Sequence, residues 1–236
     1  MSKYQSISHE IRERIINGYY PIDKMMPDEH SLCREFGCSR MTMKRALDIL
    51  AQEGMIYRKR GHGTFIIQSS MQNHNVNVIS DETVGLSNLM KDRKIVSKII
   101  EFNIQFPTEE IAKNLSISLD APVYHIIRLR IVEDEPYVLE ETYMPSNLIP
   151  DINQEVLENS VYHHIEDSLK LKIGGAHRKI RASKSNELDQ KYLQCGEHDP
   201  ILEVEQIGHL DIGIPFEYSF SRHRYDRFTF ISVAVR

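Results

Sequence analysis

Two helical patterns separated by a single residue constrain this chain more than any other feature. Leu32, Cys33 and Phe36 form an apolar stripe behind Asp28, a side chain suited to accept a bond from an early backbone N–H of a helix. Gly37 can close that helix in the left-handed conformation. Only Cys38 stands before Ser39, a fresh N-cap for a helix that the spacing runs to about Glu53, where Gly54 stops it. Two helices joined by so tight a glycine-containing turn are the signature of a helix-turn-helix. Upstream, Ile7, Ile11 and Ile15 recur every four residues between charged ones, and Asn17-Gly18 ends that pattern; Tyr19 to Pro27 reads as extended. Downstream, Met55-Ile56-Tyr57 and Thr64-Phe65-Ile66-Ile67 read as strands around an Arg58–Gly63 turn, where Gly61 and Gly63 supply the backbone freedom of a hairpin tip. Three helices and a hairpin predict a winged helix-turn-helix over residues 1–69.

Residues 70–84 are polar and rich in Asn and Ser, which reads as a linker. From 85 to 236, β-branched runs at 96–106, 122–133, 136–144, 176–183, 200–211, 214–224 and 228–235 alternate with helical patterns at 86–93, 108–115, 153–168 and 185–194. Short turns such as Glu133-Asp134-Glu135-Pro136 and Asp211-Ile212-Gly213, not helical crossovers, join the strands. This predicts an antiparallel α+β domain rather than a doubly wound one. A 236-residue chain suits two such domains. No apolar run approaches the length of a membrane span, the N-terminus carries no secretory pattern, and three cysteines make no disulfide framework. The expected compartment is the cytoplasm.

The net charge of −5 argues against a nucleic-acid partner until its distribution is examined. Residues 1–70 hold eleven basic and eight acidic side chains, the remainder eighteen and twenty-six. On a helix from Ser39, Met43, Ala46, Leu47 and Leu50 share a buried face, while Arg40, Met41, Lys44, Arg45 and Asp48 lie opposite. The N-terminal turns of the second helix of a helix-turn-helix face base edges in the major groove, where an arginine fork can bond O6 and N7 of guanine. Arg58, Lys59, Arg60 and His62 at the hairpin tip are placed for phosphates or the minor groove. A clustered basic face is usually only solvated; the order of capped helix, tight turn, basic helix and basic hairpin is what favours a double-stranded DNA partner.

The segment from Tyr4 to Ile67 resembles the GntR family of bacterial transcription factors. It carries Tyr4-Gln5-Ser6-Ile7, Ile15-Ile16-Asn17-Gly18, Pro27-Asp28-Glu29, Phe36-Gly37, Ser39-Arg40-Met41-Thr42-Met43-Lys44-Arg45-Ala46-Leu47 and Gly61-His62-Gly63-Thr64-Phe65. The resemblance implies DNA contacts at His30, Ser39, Arg40, Met41, Thr42, Lys44, Arg45, Arg60, Gly61 and His62. The family usually has Ser at Asp28 and often Arg at His30 and Lys44, departures that bear on operator preference. From about Gly85 to Arg236 the chain is similar to the effector domain of the HutC subgroup, called UTRA, whose fold is similar to chorismate lyase. That match rests on Gly85-Leu86-Ser87, Arg128-Leu129-Arg130, Leu139-Glu140, Tyr143-Met144-Pro145, Ser160-Val161-Tyr162 and Pro215-Phe216-Glu217-Tyr218. The resemblance implies repression as the default outcome and a small metabolite, often a phosphorylated sugar, as effector; a homodimer on a pseudo-palindromic operator is expected because two-fold protein symmetry is mirrored in the site.

The residues agree with such an effector. Arg128 and Arg130 point to one face of a strand, and two buried guanidinium groups call for an anion, phosphate being a natural one. Ser87 and Ser160 each open a helical pattern and offer hydroxyl and backbone N–H groups to it. Glu140 and Glu217 are acceptors suited to sugar hydroxyls, although a salt-bridge lattice with the arginines is the plain alternative. The subgroup's resemblance implies effector roles for Ser87, Arg128, Arg130, Glu140, Ser160 and Glu217, and places His223 where tyrosine is common. No catalytic or nucleotide-binding motif is present. Cys33 and Cys38 lack further ligands at zinc spacing and read as core filler, and His163-His164 diverge on a helix. No enzyme activity, cofactor or metal is expected. The rival readings are a lyase activity in the C-terminal domain and an effector-independent DNA-binding protein.

Overall fold

Side-chain caps set the helix boundaries of the N-terminal unit. The computed structural model describes residues 2–21, 24–59, 61–67 and 93–229, which belong to two compact units. The first holds α1 (Lys3–Ile16), α2 (Glu29–Glu35), α3 (Arg40–Gln52) and the antiparallel hairpin of β1 (Ile56–Lys59) and β2 (Gly63–Ile66). The Asp28 carboxylate accepts from the Ser31 N–H at 2.8 Å and the Ser39 hydroxyl oxygen from the Thr42 N–H at 3.2 Å. Caps of this kind contribute about 1 kcal/mol each. Gly37, at φ +54°, reverses the chain between them. Ile7, Ile11 and Ile15 meet Leu32, Met43, Ala46, Leu47 and Leu50 in one core, as the period of four requires. Tyr20 and Met26 from the extended connection join it, and Met25 bridges Phe65 of the hairpin. The hairpin turn is shorter than expected, because Arg58 and Lys59 pair with Thr64 and Gly63 and so belong to the ladder.

The second unit is a six-stranded sheet in the order β3-β4-β5-β8-β7-β6, antiparallel throughout. Its strands are β3 (Ile95–Gln105), β4 (Val123–Val132), β5 (Glu135–Pro145), β6 (Ile173–Lys184), β7 (Pro200–Leu210) and β8 (Pro215–Arg224). Its helices are α4 (Glu109–Leu115), α5 (Gln154–Glu158), α6 (Val161–His163, continuing as a π-helical turn to Ser168) and α7 (Glu187–Tyr192). Glu133 and Asp134 both take positive φ, the requirement of a tight hairpin turn between β4 and β5. One sheet face packs Tyr124, Ile126 and Met144 against Leu157, Val161 and Ile165 of α5 and α6. The other packs Val123 and Tyr218 against Ile111 and Leu115 of α4, and Ile127, Leu129 and Leu139 against Leu193 and Cys195.

The single helix expected over 153–168 is two. Asn159 leaves the helical region and Ser160 is extended, at φ −125° and ψ 111°. Side chains of this type compete with the backbone for its own hydrogen bonds, and Ser160 starts the chain again by capping α6 through the His163 N–H at 3.3 Å. The expected linker at 70–84, the helix at 86–93 up to residue 92, and the strand at 228–235 beyond residue 229 lie outside the described residues.

Candidate functional site

In the first unit, α3 presents two unlike faces. Met43, Ala46, Leu47 and Leu50 are fully buried, while Arg40, Met41, Lys44 and Arg45 are exposed, Met41 at 63%. Thr42 is half-buried beside the capping Ser39, its hydroxyl 2.9 Å from that of Ser39. The Arg45 guanidinium lies 5.9 Å from the centre of the Tyr4 ring, which restrains the side chain. His30 is exposed on α2, and Gly61 and His62 are exposed at the hairpin tip. Arg60 lies outside the described residues. Arg58 departs from its expected role. It bridges Asp48 of α3 and Glu29 of α2 with two ion pairs, so its charge is spent on tying the hairpin to both helices of the motif. Lys59, next to it, is exposed.

In the second unit, strand register assembles a buried charge cluster. Arg128 and Glu140 stand opposite each other on β4 and β5; Arg130 is opposite Val138, which is in turn opposite His223 on β8. Alternation along the strands directs these side chains to the face covered by α5 and α6. Arg128 and Arg130 are 8% and 4% exposed. Arg128 donates to Glu140 Oε2 at 2.8 Å and to the Leu157 carbonyl of α5 at 3.0 Å, and its Nε finds no hydrogen-bond partner among the described residues. Arg130 Nη1 lies 3.8 Å from the same Glu140 oxygen. Burial alone would raise the Glu140 carboxyl; the Arg128 and Arg130 charges outweigh it and hold the group below its ordinary range. Two cations therefore share one carboxylate.

Arg130 also lines a cavity of about 620 Å³ with Arg93, Asn159, Ser160 and His163, while Glu155 and Glu158 stand at its wall. Sequence reasoning missed Arg93, Asn159 and His163. Arg93 is the last residue of the helical pattern expected over 86–93, where nothing marks it as a ligand; the other two lie at and just beyond the break in the helix that the pattern concealed. His223 is stacked 3.9 Å from Phe228 and meets Tyr137 edge-on at 6.0 Å. Burial pushes its ring down to about 3, so the imidazole is neutral, and pushes the Tyr137 phenol up to about 12. Glu217 stands apart from the arginines. It accepts from Tyr162 at 2.6 Å, Ser219 at 2.5 Å and Gln206 at 3.2 Å, and burial raises its carboxyl above the ordinary range. The salt-bridge alternative thus describes Glu140, whereas Glu217 is held by hydrogen bonds from Tyr162, Ser219 and Gln206. Tyr162, which holds Glu217, stands in the Ser160-Val161-Tyr162 motif, where no local pattern signals its partner. Ser87 lies outside the described residues. His163 pairs with Asp167 and His164 with the Pro150 carbonyl.

Residues 3–66 match the model of bacterial regulatory proteins of the gntR family, and residues 91–229 match that of the UTRA domain. The chain belongs to the GntR family. It is 62% identical to the HTH-type transcriptional regulator GmuR of Bacillus subtilis over the whole of both chains. It is 31% identical to the mannosyl-D-glycerate transport/metabolism system repressor MngR of Escherichia coli, over 99% of this chain and 96% of that one. The solved structure of the possible transcriptional regulator YydK of Bacillus subtilis matches with a TM-score of 0.79 at 30% identity, all of both chains being covered. As a GntR regulator with a UTRA domain, the protein binds DNA through the first unit and an effector through the second. These relatives are named regulators, which sets the lyase reading aside. No helix among the described residues is long and apolar enough to cross a membrane.

Proposed function

We propose that the protein represses transcription as a homodimer on a pseudo-palindromic operator, and that a phosphorylated sugar bound in the UTRA domain lowers its affinity for that operator. The domains are taken as 1–69, 70–84 and 85–236. The observation that supports the effector class is a pair of buried cations at a cavity: Arg128 and Arg130 both approach Glu140, and Arg130 lines the cavity with Ser160 and Arg93. Removing cations from water is expensive unless an anion compensates them, and a phosphate accepts from a guanidinium fork through two parallel bonds. The neutral His223 and the Glu217–Tyr162 network supply acceptors and donors for hydroxyl groups. Among the relatives, MngR is named as the repressor of a mannosyl-D-glycerate transport/metabolism system. In the first unit, the exposed Arg40, Lys44 and Arg45 on α3, with Ser39, Met41 and Thr42 at its start, are the operator-reading set; His30, Arg60, Gly61 and His62 flank it.

A ligand shifts operator affinity only if it binds one arrangement of the DNA-binding units better than another. Coupling of this kind is typically about 1–3 kcal/mol, roughly 5- to 150-fold. The test is calorimetry with a panel of hexose and disaccharide phosphates beside the unphosphorylated sugars, followed by titration of an operator duplex. At least one phosphate is expected to bind and weaken operator binding, and Arg128→Ala is expected to lose effector binding while keeping DNA binding. Normal effector binding by Arg128→Ala would show that the anion site is elsewhere.

A further inference from the structure

The turn between α2 and α3 carries two thiols whose placement is not that of core filler alone. The Cys38 N–H donates to the Cys33 carbonyl at 3.0 Å and the Gly37 N–H to the Arg34 carbonyl at 3.4 Å. With Gly37 left-handed, these are the two bonds of a Schellman turn. Such a turn brings together the side chains of the two residues joined by its longer-range bond, and these are ordinarily apolar. Here both are cysteine. Both thiols are half-buried rather than sealed, and both pack against the same core as Leu32 and Met43. Cys38 directly precedes Ser39, the cap of α3, and Arg40, its first residue.

We propose that Cys33 and Cys38 form an oxidation site, in which a hydroperoxide converts the dithiol to an intramolecular disulfide and thereby weakens operator binding. One thiolate attacks the peroxide O–O bond and becomes a sulfenic acid, and the leaving oxygen departs as water or alcohol once protonated. The second sulfur then displaces the sulfenic oxygen as water and forms the S–S bond. Two thiols and one hydroperoxide thus give one disulfide, one water and one further water or alcohol; the sulfurs are oxidised and the peroxide is reduced. A covalent bond holds the sulfurs closer than nonbonded contact permits and at a restricted dihedral angle. Closing it draws Cys38 toward α2 and carries with it the Ser39 cap and the Arg40 side chain. A partly exposed disulfide in so small a ring belongs to the labile class that cellular thiols reduce, which makes the change reversible. Cys195 is buried in the other unit and takes no part.

The experiment uses the full-length protein and an operator duplex selected from random-sequence DNA by its reduced form. After exposure to hydrogen peroxide and alkylation of remaining thiols, mass mapping is expected to find the Cys33 and Cys38 peptides joined and short of two hydrogens. Operator affinity is expected to fall about tenfold or more and to recover on addition of dithiothreitol. Cys33→Ala and Cys38→Ala, which put no polar atom into the core, are each expected to bind the duplex with an affinity that peroxide leaves unchanged. Cys195→Ala keeps the parent's sensitivity. Alkylation of both Cys33 and Cys38 after peroxide treatment overturns the proposal, as does a mapped disulfide form that holds the duplex as tightly as the reduced one.

Discussion

At His223 burial changes the chemistry of a side chain outright. Burial beside Phe228 and Tyr137 takes its ring from an ordinary histidine value down to about 3. In the unfolded chain the same ring protonates near pH 6.5, so acid favours the unfolded state. Its contribution is therefore intact above pH 6.5 and is lost as the pH falls from there toward 3. Between pH 7 and pH 5 the parent is expected to lose roughly 2 kcal/mol more than His223→Leu, read from urea unfolding of the second unit at both values. Equal losses would mean that the ring is solvated. Glu140 has the opposite character. Its carboxyl is held below the ordinary range by Arg128 and Arg130, so the stability it brings is present above the unfolded carboxylate pKa and is lost as the pH falls through the lowered one. Glu140→Gln removes the carboxylate to which the buried Arg128 donates at 2.8 Å, which is expected to cost about 3–5 kcal/mol. Inorganic phosphate should restore part of that loss in a thermal melt. A variant as stable as the parent without phosphate would show that water reaches the arginines.

At the scale of elements, the basic residues of the hairpin and α3 separate into one that is ion-paired and others that are exposed. Arg58 is held by Glu29 and Asp48, whereas Lys59, Arg40, Lys44 and Arg45 are exposed. Each phosphate contact adds about one unit to the slope of log affinity against log salt. Lys59→Ala is therefore expected to reduce that slope by about 1. Arg58→Ala should leave it unchanged and instead loosen the hairpin, at about 1 kcal/mol for pairs this exposed. Arg40→Ala should cost about 1–3 kcal/mol on the preferred operator and relax discrimination at one position. Salt titrations on matched and mismatched duplexes separate the three outcomes, and a reduced slope in Arg58→Ala would return that residue to the phosphate set. The split of the helix expected over 153–168 belongs to this scale as well. Its apolar residues keep helical spacing across Asn159 and Ser160, so periodicity reads straight through a break that two backbone-competing side chains impose.

For the whole molecule, the expected device is a dimer whose effector units set the spacing of two recognition helices. The acidic remainder of the chain, not the small winged unit, is the expected platform. A fragment from about residue 80 to 236 should elute as a dimer in size-exclusion chromatography, and a fragment 1–70 as a monomer. The reverse result would move the two-fold axis to the DNA-binding unit. A flexible insertion near Asn75, in the expected linker and outside the described residues, should leave effector binding intact and reduce its effect on the operator. Unchanged coupling would require another route between the units.

The sequence by itself determined those features that depend on neighbours along the chain. Asp28, Gly37 and Ser39 cap and break their helices through bonds spanning three to five residues, so the helix-turn-helix is legible without any tertiary contact. Alternation placed Arg128 and Arg130 on one strand face for the same local reason. Tertiary structure decided which charges meet. Glu140 stands opposite Arg128 only through the β4–β5 register, and Glu217 is taken from the arginines by Tyr162, fifty-five residues away in sequence. The neutrality of His223 comes from desolvation, which no local pattern encodes, because it is set by the aromatic rings and sheet that exclude water around it. Arg58 makes the same point in the first unit: its sequence neighbours mark it as one more basic residue at a hairpin tip, and only the packing of that hairpin against α2 and α3 brings it the two carboxylates that claim its charge.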